Sequence, residues 1–167
     1  MNYILETARL TLRQFTNEDA GFIVELVNTS GWLEFIGDRN IHSEEDAINY
    51  LQNGPIKSYC ENGFGSSMVE LKDGTPIGMC GILKRDSLEN PDIGFAFLPA
   101  YMGKGYALEI ANATLHHATH QWNLKTICAI TDPGNVRSIG LLEKIGLRPV
   151  KTIPSPTDGT ELLLYSN

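Results

Sequence analysis

The chain has 167 residues, 42% hydrophobic and 20% charged, a balance that suits a globular core and shows neither the charge excess of disorder nor the apolar run of a membrane span. Acidic residues outnumber basic ones by 20 to 13, and the resulting net charge of −7 repels a phosphate backbone, so nucleic acid is not an expected direct partner. Residues 1–167 read as a single domain, and the absence of a basic stretch leading into an apolar core at the N-terminus points to a cytoplasmic protein with no membrane partner.

In chain order, residues 9–13 alternate like a strand, and Ala20, Ile23, Val24 and Val27 follow helical spacing behind the acidic pair Glu18-Asp19. Trp32, Leu33, Phe35 and Ile36 form a cluster to which periodicity assigns no element. A second helix is expected to start at Ser43, with Asp46 as its capping-box partner, and to stop before Gly54-Pro55. Residues 66–71, 76–84 and 92–98 read as three strands of an antiparallel meander, the first two joined by Lys72-Asp73-Gly74. Leu108, Ala111, Leu115, Ala118 and Trp122 then mark one face of a long helix. A strand over 124–131 follows, and after it a short helix over 135–145 closed by Gly146, with Leu147 beyond the cap. Strands over 148–153 and 161–165 complete an α/β (α+β) chain. Cys60, Cys80 and Cys128 are odd in number and widely separated, which fits buried free thiols better than disulfides or zinc ligands.

The chemistry points to the junction where the strand through Phe95, Ala96 and Phe97 runs into Met102-Gly103-Lys104-Gly105-Tyr106-Ala107 and opens a helix. Glycines let the main chain approach a ligand closely. The helix N-terminus offers free N–H groups and positive potential, and Lys104 adds a charge, so a phosphate or pyrophosphate is the natural ligand. Taken alone, the segment also fits a plain strand-to-helix turn with Lys104 in solvent. It is not a P-loop, and it lacks the dinucleotide fingerprint. His116, His117 and His120 lie off the apolar stripe and read as a solvated face, with no metal site expected.

A second constellation, Asn135-Val136-Arg137-Ser138 followed by Glu143-Lys144-Ile145-Gly146-Leu147, completes a resemblance to the GNAT superfamily of N-acetyltransferases. The family's turn pattern Gln/Arg-x-x-Gly-x-Gly/Ala falls on residues 102–107, matching at Gly105 and Ala107 and departing at Met102. Its second pattern, an Asn leading a helix that ends Glu-Lys-Leu-Gly-Phe, is matched with Ile145 and Leu147 as conservative replacements. The likeness extends over almost the whole chain, including residues 5–13 and 91–95, and is closest to the branch of ribosomal-protein serine/alanine N-acetyltransferases.

The resemblance implies a mixed, twisted sheet of about seven strands flanked by about four helices, splayed between its fourth and fifth strands, here 92–98 and 124–131. Acetyl-CoA is the implied co-substrate. Its pantetheine arm would add along the strand edge at Phe95, Ala96 and Phe97. Its pyrophosphate would lie on Gly103, Lys104, Gly105, Tyr106, Ala107 and Leu108. Asn135 would hydrogen-bond the pantetheine, although a helix N-cap with Ser138 at the third position fits the same residue.

The implied reaction is transfer of acetyl to a primary amine, on a protein N-terminus or a small molecule, by a monomer or homodimer. Many relatives use a tyrosine seven residues after the Asn as acid, but Leu142 stands there. Ser138 is the expected substitute near the sulfur, and Asp92 the expected base acting through water. Trp32, Phe35 and Tyr50 are candidates to border the acceptor pocket. The competing expectation is a CoA-binding module of the same fold without catalysis.

Overall fold

A computed structural model describes residues 1–167. Strands β1 (Tyr3–Glu6), β2 (Leu10–Gln14), β3 (Ser66–Leu71), β4 (Pro76–Leu83), β5 (Asp92–Phe97), β6 (Cys128–Thr131), β7 (Arg148–Pro154) and β8 (Glu161–Ser166) form one sheet in the order β1-β2-β3-β4-β5-β6-β8-β7. Only β5 and β6 run parallel, so the sheet is mixed. Helices α1 (Ala20–Val27), α2 (Ser30–Phe35), α3 (Glu44–Leu51) and α4 (Lys57–Asn62) lie between β2 and β3, while α5 (Tyr106–His120) connects β5 to β6 and α6 (Val136–Lys144) follows β6. The class is as expected, with more elements. The added strand β1 is too short for alternation to reveal, and α2 and α4 have six residues each.

Alternation along the strands divides the core between the two faces. Met68 and Met79 pack with Ile23, Leu26 and Leu51 of the early helices, whereas their neighbours Val69 and Cys80 pack with Ile110 of α5 and Leu142 of α6. Ser43 caps α3 through Asp46 as the capping box predicts. The helical path does not stop at Gly54-Pro55, however, but continues through a π-helical turn over Gln52–Ile56 into α4. Proline has no N–H to donate and its ring crowds the carbonyl four residues back, and the wider turn accommodates both defects while burying Pro55.

Three further expectations shift. The fifth strand of the predicted pattern starts at Cys128 and not at 124, because the Leu124 N–H returns to the Ala118 carbonyl at 3.1 Å as the chain leaves α5. The buried stripe of α5 is Ile110, Ala111, Thr114 and Ala118; Leu108 and Leu115 are half-buried, and Trp122 lies beyond the helix. Cys80 and Cys128 are buried as expected but Cys60 is exposed on α4, and burial pushes the Cys80 thiol up to about 12. No helix is long and apolar enough to cross a membrane.

Candidate active site

The parallel strands β5 and β6 touch at one ladder position, Asp92 opposite Cys128, where the Cys128 N–H donates to the Pro91 carbonyl at 2.8 Å. Beyond that point they separate, which is the splay expected between these strands. On its other side β5 is fully paired with β4: Ala96 lies opposite Met79, and the Leu98 N–H donates to the Ile77 carbonyl at 2.9 Å. Antiparallel strands bond at alternate residues, so Gly94 and Ala96 direct their main-chain groups at β4 while Phe95 and Phe97 direct theirs into the gap. Of the three residues expected to present a free edge, Phe95 and Phe97 do so and Ala96 does not. The Phe97 ring lies over Gly78 on β4, where a Cβ would sit 2.6 Å from it.

From β5 the chain passes a 3-10 turn over Pro99–Tyr101 and reaches Gly103 at φ +74° and Gly105 at φ +82°, left-handed values that favour glycine. Gly105 is the N-cap of α5 and has no side chain with which to satisfy the helix. The N–H groups of Tyr106, Ala107 and Leu108 therefore lack intrahelical acceptors and stand open at the mouth of the gap. Lys104 folds its ammonium over the Tyr101 ring, 5.7 Å from the centroid.

Sequence reading assigned Arg9 only to a strand, yet it reaches this turn. Its Nη1 donates to the Lys104 carbonyl at 3.0 Å, its Nε meets Glu109 at 2.6 Å, and its guanidinium carbon lies 4.5 Å from the centroid of the Tyr106 ring. Glu109 also accepts from the Thr7 hydroxyl at 2.6 Å and the Arg9 N–H at 2.9 Å. Burial pushes the Glu109 carboxyl up, but the bonds from Thr7 and Arg9 outweigh it and hold the group below its ordinary value. A separation of 100 residues between Arg9 and Glu109 leaves no periodic trace of this contact.

On the other lip, Asn135 caps α6: its Oδ1 accepts from the Ser138 N–H at 3.2 Å. The cap occupies the oxygen and leaves Nδ2 without an intramolecular partner. The half-buried Ser138 hydroxyl makes no hydrogen bond within the chain, so both groups are available to a ligand. Leu142, one helical turn after Ser138, is 1% exposed and belongs to the core. Arg137 spans the mouth, its Nη1 3.4 Å from the Met102 sulfur.

Asp92 sits at the closed end of the gap. Ile93 packs with α5 and Ala96 with the early helices, so by alternation the Asp92 side chain faces the early helices too, the side that holds Trp32 and Tyr50. It is 1% exposed and both its oxygens accept from Arg85 Nε, at 3.0 and 3.1 Å. Burial raises its proton affinity, and the Arg85 charge opposes the rise without cancelling it. The Trp32 indole N–H is buried with no partner, Tyr50 is half-buried with its hydroxyl raised by burial, and Phe35 is half-buried at the end of α2. His116 stacks on His120 at 4.0 Å, and His117 meets the edge of Trp122 at 4.9 Å.

A sheet parted between two parallel strands, with a glycine turn on one lip and an Asn-capped helix on the other, defines a GNAT acetyltransferase. The chain belongs to that family, whose acetyltransferase (GNAT) domain matches residues 9–148. Among curated relatives it is 30% identical over 157 residues to the uncharacterized protein YkkB of Bacillus subtilis, covering 89% of this chain and 87% of that one. Among solved structures it is 27% identical to the GNAT-family acetyltransferase from Bacillus anthracis, with a TM-score of 0.80 over 99% of this chain and 97% of the other. RimL, a ribosomal alpha-N-protein acetyltransferase solved in complex with coenzyme A, shares the fold at a TM-score of 0.85 over 99% of this chain and 97% of its own, at 13% identity.

Proposed function

We propose that this protein transfers an acetyl group from acetyl-CoA to a primary amine by direct attack in a ternary complex. The observation that carries this reading is the gap between β5 and β6, in which the free main chain of Phe95 and Phe97 leads straight to the open N–H groups of α5. An extended pantetheine arm can add to that edge as a strand would, with a pyrophosphate ending on Gly103, Lys104, Gly105, Tyr106, Ala107 and Leu108.

The amine nitrogen attacks the thioester carbon, the carbon–sulfur bond breaks, and CoA leaves as a thiolate that takes a proton. A main-chain N–H of Phe95 or Phe97 supports the developing oxyanion, and the unpartnered Ser138 hydroxyl hydrogen-bonds the sulfur as its charge grows. Asp92, paired with Arg85 and made more basic by burial, receives the amine proton through water. A single weak base suits an α-amine: with an ordinary pKa near 8 about a tenth is already neutral at pH 7, against roughly one in a few thousand for lysine. RimL acts on such an amine, and protein N-termini head the acceptors we propose, followed by small-molecule amines; the fold does not select between them.

The test is acceptor-dependent release of thiol from acetyl-CoA over a panel of peptides with free N-termini, polyamines and aminoglycosides. Release with one acceptor class establishes the transferase. CoA affinity with no release for any acceptor leaves a binding module of the same fold.

A further inference from the structure

The family's turn pattern places Gln or Arg where this chain has Met102, so the glycine turn lacks the polar or cationic side chain that the pattern puts there. Within it stands Lys104, and in the first turn of α5 stands Glu109, whose charge is opposite to that of Lys104. Lys104 and Glu109 alone sum to zero. Arg137 reaches the same turn from α6, its Nη1 on the Met102 sulfur, but Arg9 is the cation whose position is fixed: Nε is held by Glu109, Nη1 by the Lys104 carbonyl, and the guanidinium carbon lies over the Tyr106 ring.

The third nitrogen, Nη2, has no partner in the chain, and it lies 3.3 Å from where a Cβ on Gly105 would be, beside the helix N-cap. A guanidinium with two nitrogens bonded to protein and the third directed at an open N-terminus is arranged for an oxyanion.

We propose that Arg9, reaching over from the β1–β2 turn, is the pyrophosphate-binding cation that Met102 does not provide, and that Glu109 positions it. The assignment rests on the placement of CoA given above and adds a ligand from a distant part of the chain. It makes the N-terminal hairpin a working part of the cofactor site: the Lys104 carbonyl points at Arg9, which leaves the N–H groups of the turn for the ligand.

Calorimetric titration of the whole chain with CoA and with pantetheine, which lacks the pyrophosphate, tests this without knowledge of the acceptor. The wild-type protein should bind CoA more tightly than pantetheine. Arg9→Ala should weaken CoA by about tenfold, the scale of one charge-assisted contact, and leave pantetheine unchanged, while Arg9→Lys should recover part of the loss. Arg9→Gln, which keeps a donor for the Lys104 carbonyl and drops the charge, serves if the alanine variant does not fold, and should weaken CoA alone.

Equal weakening of both ligands would reduce Arg9 to a structural residue, and unchanged CoA binding would remove it from the site; either overturns the proposal. A wild-type protein with no preference for CoA over pantetheine would instead overturn the placement of the pyrophosphate on the turn.

Discussion

Arg13 and Asp19 meet end-on inside the protein, the two terminal guanidinium nitrogens lying 2.9 and 2.8 Å from the two carboxylate oxygens. Both side chains are at most a tenth exposed, and the remaining Arg13 nitrogen meets Glu70 at 2.7 Å, so one cation serves two buried anions. The Asp19 hydrogen bond, against the opposing cost of burial, holds the Arg13 proton more tightly than usual, with Glu70 adding to the effect. Asp19 also accepts the Thr16 N–H at 2.8 Å, which links the triad to the start of α1.

Arg13→Met should therefore be strongly destabilising. It strands two carboxylates away from water, and breaking a buried pair costs about 3 to 5 kcal/mol. Glu70→Gln keeps Arg13 paired with Asp19 and should cost distinctly less. Urea denaturation of the three proteins ranks them, and equal midpoints for wild type and Arg13→Met would show that the triad contributes no net stability.

Asn135 carries two functions on two atoms, and one substitution separates them. Asn135→Asp keeps an oxygen for the Ser138 N–H and so keeps the cap, but replaces the free Nδ2 donor with an acceptor that faces the ligand. CoA affinity should fall while thermal stability holds. Asn135→Ala loses both, with about 1 kcal/mol less stability from the missing cap. If the aspartate variant binds CoA as well as wild type, Asn135 is a cap only.

The two lips of the site differ in how far the sequence revealed them. Gly103, Gly105 and Asn135 were legible because each answers a local demand: left-handed backbone at two positions and an N-cap at the third. Strand alternation likewise located β3, β4 and β5 to within a residue. Arg9, Glu109 and Arg85 were not legible, since their contacts join a hairpin turn to a helix and a loop to a strand start, and no period records such pairs. Gly54-Pro55 misled for a related reason, because a π turn tolerates a proline that an α-helix does not, and the difference depends on the burial of Pro55.

Acidification should report on Asp92. Its folded pKa is raised above the ordinary 3.8 by burial, so the folded chain holds this proton where the unfolded chain has released it. The stability linked to this group is fully present below 3.8 and is lost as pH rises through the folded value. Asp92→Asn should remove that slope, visible as a melting temperature that varies less than wild type over the same acidic range. If Asp92 is also the base, the variant should lose roughly a hundredfold or more in turnover and lose the acid limb of its pH–rate profile. A slope removed with turnover intact would leave Asp92 as the partner of Arg85 alone.

Ser138 provides the sharpest separation of chemistry from structure, because its two polar groups do different things. The cap on α6 uses the Ser138 main-chain N–H, which alanine retains, while the hydroxyl has no intramolecular partner. Ser138→Ala should therefore leave melting temperature and CoA affinity close to wild type. A hydrogen bond to sulfur matters most as the thiolate forms, so its loss should appear in turnover. One charge-assisted hydrogen bond is worth about 1.5 to 3 kcal/mol, which corresponds to roughly ten- to a hundredfold in rate. Steady-state kinetics on the acceptor found by the panel assay, normalised to folded protein, measure it directly. A turnover number unchanged by Ser138→Ala would remove the hydroxyl from the reaction and leave proton delivery to the thiolate with solvent.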